Sequence, residues 1–287
     1  MQQTMRNTEG SIRDLGDINA QIMVFGGPYS NFSATKAIQE EADKRGIRAD
    51  HVICTGDLVA YCAEPVETCR LIQDWEIQVV MGNCEESLGF DDPDCGCGFI
   101  EGSVCSVLSV TWYDFAQRRV SAEDRQWMRE LPRAIRFEMN NRQFEVVHGG
   151  IEDISQFIFA STDSEKIANQ IKQQQCDVII GGHCGLPFAH STEQGHWLNA
   201  GVIGMPANDG TTDGWYLLLT PVNHTIRASW HRLPIDQTIS SKLTRDSGMI
   251  EYADAMLSGL WANMDVLPES ERAQRGIPLN PAAVLLS

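Results

Sequence analysis

Four short apolar runs in this chain end alike, at a glycine beside a side chain with a lone pair to offer. Val52-Ile53-Cys54 leads into Thr55-Gly56-Asp57, and Val79-Val80-Met81 into Gly82-Asn83. Val146-Val147 leads into His148-Gly149-Gly150, and Val178-Ile179-Ile180 into Gly181-Gly182-His183. Apolar runs this short, bounded by glycine, read as buried strands. With helical stretches between them they form an α/β sheet with parallel members, which presents its ligands at the carboxyl ends of the strands. Singly, an Asp after Gly is an ordinary helix cap and a lone His an ordinary hydrogen-bonded residue. In four equivalent positions, Asp57, Asn83, His148 and His183 point to one shared metal site. A carboxylate, an amide oxygen and two imidazoles suit Mn, Fe or Zn.

The rest of the chain falls around these strands. Residues 1–19 read as a polar extension without a period, and 20–25 as a strand ending in Gly26-Gly27-Pro28. Helices are expected over 34–45, capped by Asn31 or Ser33 and closed at Gly46, and over 65–75, opened by Pro65. Residues 84–104 read as a loop-like insertion carrying Cys95-Gly96-Cys97, followed by helices over 103–119 and 122–131. Strands 135–138 and 143–147 flank an Asn140-Asn141 hairpin turn, and a helix is expected near 165–174. Strands 196–199, 215–219 and 225–231 suggest a second, more antiparallel sheet. One domain over 20–235 with a C-terminal helical appendage at 236–287 is the expected organisation.

Composition narrows the function classes. The formal charge is −17 and the basic residues are scattered, with Arg118-Arg119 and Lys44-Arg45 as adjacent pairs. This excludes a phosphate-tracking nucleic-acid groove. No apolar run reaches the roughly 20 residues of a membrane span. Nine cysteines cannot all pair within one chain, and residues 1–16 lack the apolar stretch of a signal peptide. Free thiols then imply a cytoplasmic protein. A small-molecule substrate, no nucleic acid and no membrane are expected, with room left for a homo-oligomer.

The segments Thr55-Gly56-Asp57-Leu58-Val59-Ala60-Tyr61, Gly82-Asn83-Cys84-Glu85, His148-Gly149-Gly150 and Gly182-His183-Cys184-Gly185 together resemble the calcineurin-like metallophosphoesterase family over residues 20–235. The resemblance implies an α/β fold, a four-layer αββα sandwich of two mixed β-sheets, followed here by C-terminal helices. It also implies a centre of two metals held by seven side chains. One site would use Asp57, Asn83, His148 and His183, all present. The other would need an Asp-x-His motif, where this chain has Gly27-Pro28-Tyr29, and a final His, where it has Gly185. The losses fall on one site, so a single divalent transition metal per chain is expected.

Replacement ligands are conceivable: Cys95 and Cys97 in the insertion, Cys184 beside His183, and a Tyr29 phenolate, against the alternative that the cysteines merely pack. Cys54, Cys69, Cys105 and Cys176 read as core. Cys84, after the Asn ligand, and Glu85 are candidate acid, base or nucleophilic groups, and His190 a candidate substrate contact. Asn208-Asp209-Gly210 reads as a turn. The expected function is a metal-dependent hydrolase that activates water against a small (phospho)ester-like substrate. Two alternatives stay open: a metal-assisted lyase or hydrolase on a non-phosphate, sulfur-containing substrate, and a metal or ligand sensor without turnover.

Overall fold

The computed structural model describes residues 11–98 and 104–287, and the side chain of Cys105 lies outside the described residues. The strands, in chain order, are β1 (Ile12–Asp17), β2 (Ile22–Phe25), β3 (Val52–Cys54), β4 (Gln78–Val79), β5 (Ala134–Met139), β6 (Arg142–Val147), β7 (Val178–Gly181), β8 (Phe188–Thr192), β9 (Gly195–Asn199), β10 (Gly214–Val222), β11 (Thr225–Leu233) and β12 (Val284–Leu286). The helices are α1 (Phe32–Arg45), α2 (Pro65–Trp75), α3 (Asn83–Gly89), α4 (Val104–Gln117), α5 (Ala122–Arg129), α6 (Ser164–Gln174), α7 (Thr238–Asp246), α8 (Ile250–Ser258) and α9 (Glu269–Arg272).

Two mixed sheets form, ordered β1-β5-β6-β7-β9-β8 and β12-β11-β10-β2-β3-β4. The period of two along a strand divides each into an inner and an outer face. In β2, Ile22 and Val24 meet Val146 and Ile180 of the opposite sheet in the central core. Met23 and Phe25 face outward, onto Ile38 of α1 and Ile72 of α2. Outside the other sheet, Ile167 and Ile171 of α6 pack on Ile179 and Trp197. The layers are therefore helix, sheet, sheet, helix, the expected αββα sandwich.

Several local expectations change. Residues 196–199 do not join a separate antiparallel sheet, because β9 lies parallel to β7. The largely buried β10 takes neighbours on both edges, β2 and β11. Described segments near both termini join the sheets: β1 pairs with β5 and β12 with β11. β1 is mostly exposed and polar, so it carries no alternating signal. Residues 84–89 of the supposed insertion belong to the helix α3. The hairpin turn is as expected, with Asn140 and Asn141 at φ 48° and 58°, the left-handed pair that a two-residue turn requires. Cys54 and Cys69 are buried, whereas Cys176 is only half-buried, in the link between α6 and β7. A single bridge between Gly26 and Val202 joins the loops above β2 and β9, and the loops that follow β3, β4, β6 and β7 cluster on the same rim.

Candidate metal centre

Asp57 follows β3 at φ +59°, a left-handed conformation that needs support. Glu85 supplies it. Its buried carboxylate accepts the backbone N–H groups of Asp57 at 2.7 Å, Leu58 at 2.8 Å and Gly82 at 3.0 Å. Gly82 is required here, since a Cβ would lie 2.6 Å from the Asp57 nitrogen. Asn83 opens α3, and its amide nitrogen donates to the Cys95 carbonyl at 3.0 Å, which aims its oxygen the other way.

That oxygen faces His148, which follows β6. His148 Nδ1 lies 2.7 Å from the Thr55 carbonyl. A carbonyl only accepts, so Nδ1 carries the hydrogen; Nε2 then either holds a second proton, shared with Asp57, or gives it up and presents its lone pair to an ion. Around that Nε2 stand His183 Nδ1 at 2.9 Å, Asn83 Oδ1 at 3.0 Å and Asp57 Oδ2 at 3.3 Å. Ligand atoms of Asp57, His148 and His183 all lie within 4.8 Å of one another, and all three residues are buried. His183 Nε2 is buried without a hydrogen-bond partner. Acceptors that converge in a dry site repel unless a positive charge sits among them. This mixture of oxygen and imidazole donors fits a divalent transition metal.

The titrations follow the same geometry. Burial opposes charge on Asp57, but the adjacent His148 outweighs it and takes the carboxyl down to about 2. Burial also opposes charge on His148, yet Asp57 raises it. Burial and then the neighbouring His148 hold His183 down to about 3, so its ring is neutral near pH 7.

The positions of the missing ligands are filled differently. Tyr29 is buried and its ring folds back over Gly27, where a Cβ would meet the ring edge at 2.6 Å. Gly27 is thus the residue that makes room for Tyr29. The Tyr29 ring continues into Tyr61 at 4.7 Å between centroids, and Tyr61 stacks on Tyr252 of α8 at 4.8 Å. Burial, and secondarily Asp57, push the Tyr29 phenol well above its usual range. Its ring packs, and burial favours the neutral phenol.

The other candidates separate in the same way. Cys95 and Cys97 pair with each other as a disulfide, and Cys97 Sγ lies 3.3 Å from the Asn83 amide nitrogen. Cys184 accepts from the Asn199 amide, and burial pushes its thiol up to about 12. Cys84 offers its backbone N–H to Asp57 Oδ1, while burial, then Asp57, push its thiol well above the usual range. Burial raises Glu85 to about 7, and its three backbone partners make it a clamp on the Asp57 loop. His190 sits on the edge strand β8, held by Ser164 Oγ at 2.8 Å and the Ala160 carbonyl at 3.0 Å, and is not brought to the centre. Sequence reading missed Phe157, whose ring centroid is 4.3 Å from that of His183, and the Thr55 carbonyl, which no side-chain pattern reveals.

A sequence profile of the calcineurin-like phosphoesterase superfamily domain matches residues 23–223. An uncharacterized protein of Methanocaldococcus jannaschii is 24% identical over 189 residues, 65% of this chain and 71% of that protein. Among solved structures, a hypothetical protein of Pyrococcus horikoshii superposes with TM-score 0.70 at 16% identity, covering 84% of this chain and 99% of the other. A metallophosphoesterase of Sphaerobacter thermophilus superposes with TM-score 0.63 at 18% identity, covering 85% and 100%. At these identities the superpositions speak to the fold.

Proposed function

Because this chain belongs to the calcineurin-like phosphoesterase superfamily, a family of metal-dependent hydrolases, we propose that it hydrolyses a small ester-like substrate at a centre holding one divalent metal. The observation that carries this reading is the convergence of Asn83 Oδ1, Asp57 Oδ2 and His183 Nδ1 on His148 Nε2. The ring of Tyr29 over Gly27 supports the count of one, since it fills the room that a second set of ligands would need.

Asp57, Asn83, His148 and His183 would hold the ion. A divalent ion in that position supplies Lewis acidity, polarising a substrate oxygen and making water easier to deprotonate. The protein's own part is to aim the donors. Thr55 fixes the His148 tautomer, the Cys95 carbonyl fixes the Asn83 amide, and Glu85 holds the Asp57 loop. Such supporting contacts typically carry 10–100-fold in metal affinity or activity.

Elemental analysis of purified protein tests the count, with about one metal per chain expected and two overturning it. An aryl-phosphate assay with Mn²⁺ tests the reaction, and His183→Ala should abolish whatever turnover is found. A second reading, hydrolysis of a non-phosphate ester, draws on one observation. Among the described residues lining the cavity beside His183 there is neither Lys nor Arg to receive a phosphate. Turnover of aryl carboxylate esters without turnover of phosphomonoesters or diesters would favour it.

A further inference from the structure

Beside His183 the rim opens into a cavity of about 110 Å³. Its inner side is made of Tyr29 and Gly185, which stand where metal ligands are missing, and of Tyr61 packed beside the Tyr29 ring. Its outer wall comes from the C-terminal segment, chiefly Tyr252, Ala255 and Trp261. The wall is held in place. The Trp261 indole N–H donates to the Pro206 carbonyl at 2.6 Å, and its backbone N–H donates to the Asn208 side chain at 2.9 Å. The large ring beside the space is therefore fixed and does not swing in to fill it.

None of the described residues lining this cavity is Lys, Arg, Asp or Glu. An anion entering would lose its hydration without meeting an opposite charge. An uncharged ring would meet aromatic faces and side chains at packing distance, the usual chemistry of a small-molecule pocket. Size agrees, since an apolar cavity of about 150 Å³ takes up benzene, and this one is of that order and open on one side.

We infer that the cavity recognises an uncharged aromatic group of the substrate, whose polar end then lies toward His183. The word substrate rests on the hydrolase reading above, whereas the affinity for an uncharged ring does not. The place of a second metal has become the specificity pocket of the first.

The test uses 4-fluorophenol and inorganic phosphate as probes on the full chain, metal-loaded and after chelation, by ¹⁹F NMR and calorimetry. Saturable 4-fluorophenol binding is expected in both forms, with Kd on the order of 1 mM for so small a molecule. Ala262→Trp at the exposed mouth and Ala255→Phe in the wall should each weaken it by about tenfold or more without changing metal content, with circular dichroism checking the fold. Two results would overturn the inference: no saturable binding up to the solubility limit, or binding that Ala262→Trp leaves unchanged. Inorganic phosphate, but not 4-fluorophenol, saturating the chelated protein would do the same. Metal analysis of the same samples separates this inference from the hydrolase reading. Fluorophenol binding without metal uptake sinks the hydrolase and leaves the pocket, while metal uptake without fluorophenol binding sinks the pocket alone.

Discussion

On one side of Asp57 the rim holds four side chains whose lone pairs face a common point, each aimed by a backbone contact or a turn. On the other side the same loops carry a tyrosine ring lying over a glycine, a second glycine at 185, and a cavity walled by aromatic rings. The first side is unstable by itself, because buried acceptors that face one another need a proton or a cation between them. The second side is self-sufficient, held by ring contacts and dispersion. The two also differ in how they could have arisen. A polar cluster can lose one ligand and keep the others, whereas Gly27 and Tyr29 are sterically coupled, the ring occupying the volume that any side chain at 27 would need. The substitutions on that side are parts of one arrangement and not independent losses.

The largest effect should come from removing the atom on which the polar side converges. His148→Ala takes away Nε2, and metal affinity should fall by more than about 100-fold, beyond what loss of a supporting contact costs. Equilibrium dialysis followed by elemental analysis would measure it. Stoichiometric metal retained by this variant would show that the cluster is a hydrogen-bonded core and not a binding site.

Next comes the coupling on the aromatic side. Gly27→Asp alone forces a side chain into the Tyr29 ring and should cost about 1–3 kcal/mol. The cost of a side chain at the left-handed backbone of Gly27 (φ 42°) remains in a Tyr29→His background, but the steric part should vanish there, leaving a coupling energy of about 1 kcal/mol in a double-mutant cycle followed by urea unfolding. Strictly additive costs would mean that the ring is not what excludes a ligand at 27. Adding Gly185→His to the pair should raise metal uptake by up to one further equivalent per chain.

The polar side was legible in the sequence because its residues sit at strand ends beside glycines, and strand ends are what periodicity locates best. The αββα sandwich was legible for the same reason, with the family motifs supplying the layer order. The aromatic side was only half legible. Gly27 and Gly185 were visible as absences, but a large residue two places from a glycine does not announce that its ring folds back over it. Phe157, Tyr252 and Trp261 come from a loop and the C-terminal segment, where neither helical nor strand spacing points inward. Glu85 looked like an acid-base group because its type and position suit one. Only its three backbone partners reveal a clamp. β1 and β12 were invisible because their sequences are polar or short, and pairing with an existing edge gave them their structure.

The loop that precedes β10 carries a separate pH dependence. The buried Asp209 carboxylate accepts from Leu279 N–H at 3.0 Å, Thr211 N–H at 3.0 Å and Arg232 at 2.9 Å, and Arg232 also faces Asp213. Burial opposes its charge, but Thr211, the Leu279 and Thr211 backbone and Arg232 together lower its pKa. A carboxyl held lower in the folded than in the unfolded chain stabilises above the unfolded value of about 3.9 and loses that contribution as pH falls through its folded value. Stability should therefore decline below about pH 4. Asp209→Asn should cost about 1–3 kcal/mol at neutral pH and flatten the acid limb of a melting-temperature profile. An unchanged acid limb would show that the Asp209 cluster does not contribute to acid stability.

The smallest effect tests where the boundary between the two sides runs. Cys97 Sγ touches the Asn83 amide, but the Cys95 carbonyl is what orients that amide, and a change of the Cys97 side chain leaves this backbone group in place. Cys97→Ser should therefore shift metal affinity by less than about tenfold, in keeping with the roughly 0.5–1.5 kcal/mol of one ordinary hydrogen bond. The absorption spectrum of the metal-loaded protein should not change, since sulfur paired with sulfur donates no thiolate charge to an ion. Loss of metal, or loss of a sulfur-to-metal band, would make Cys97 a ligand. The polar side would then extend into the 95–97 loop, and the disulfide would become a state that competes with metal for the same sulfur.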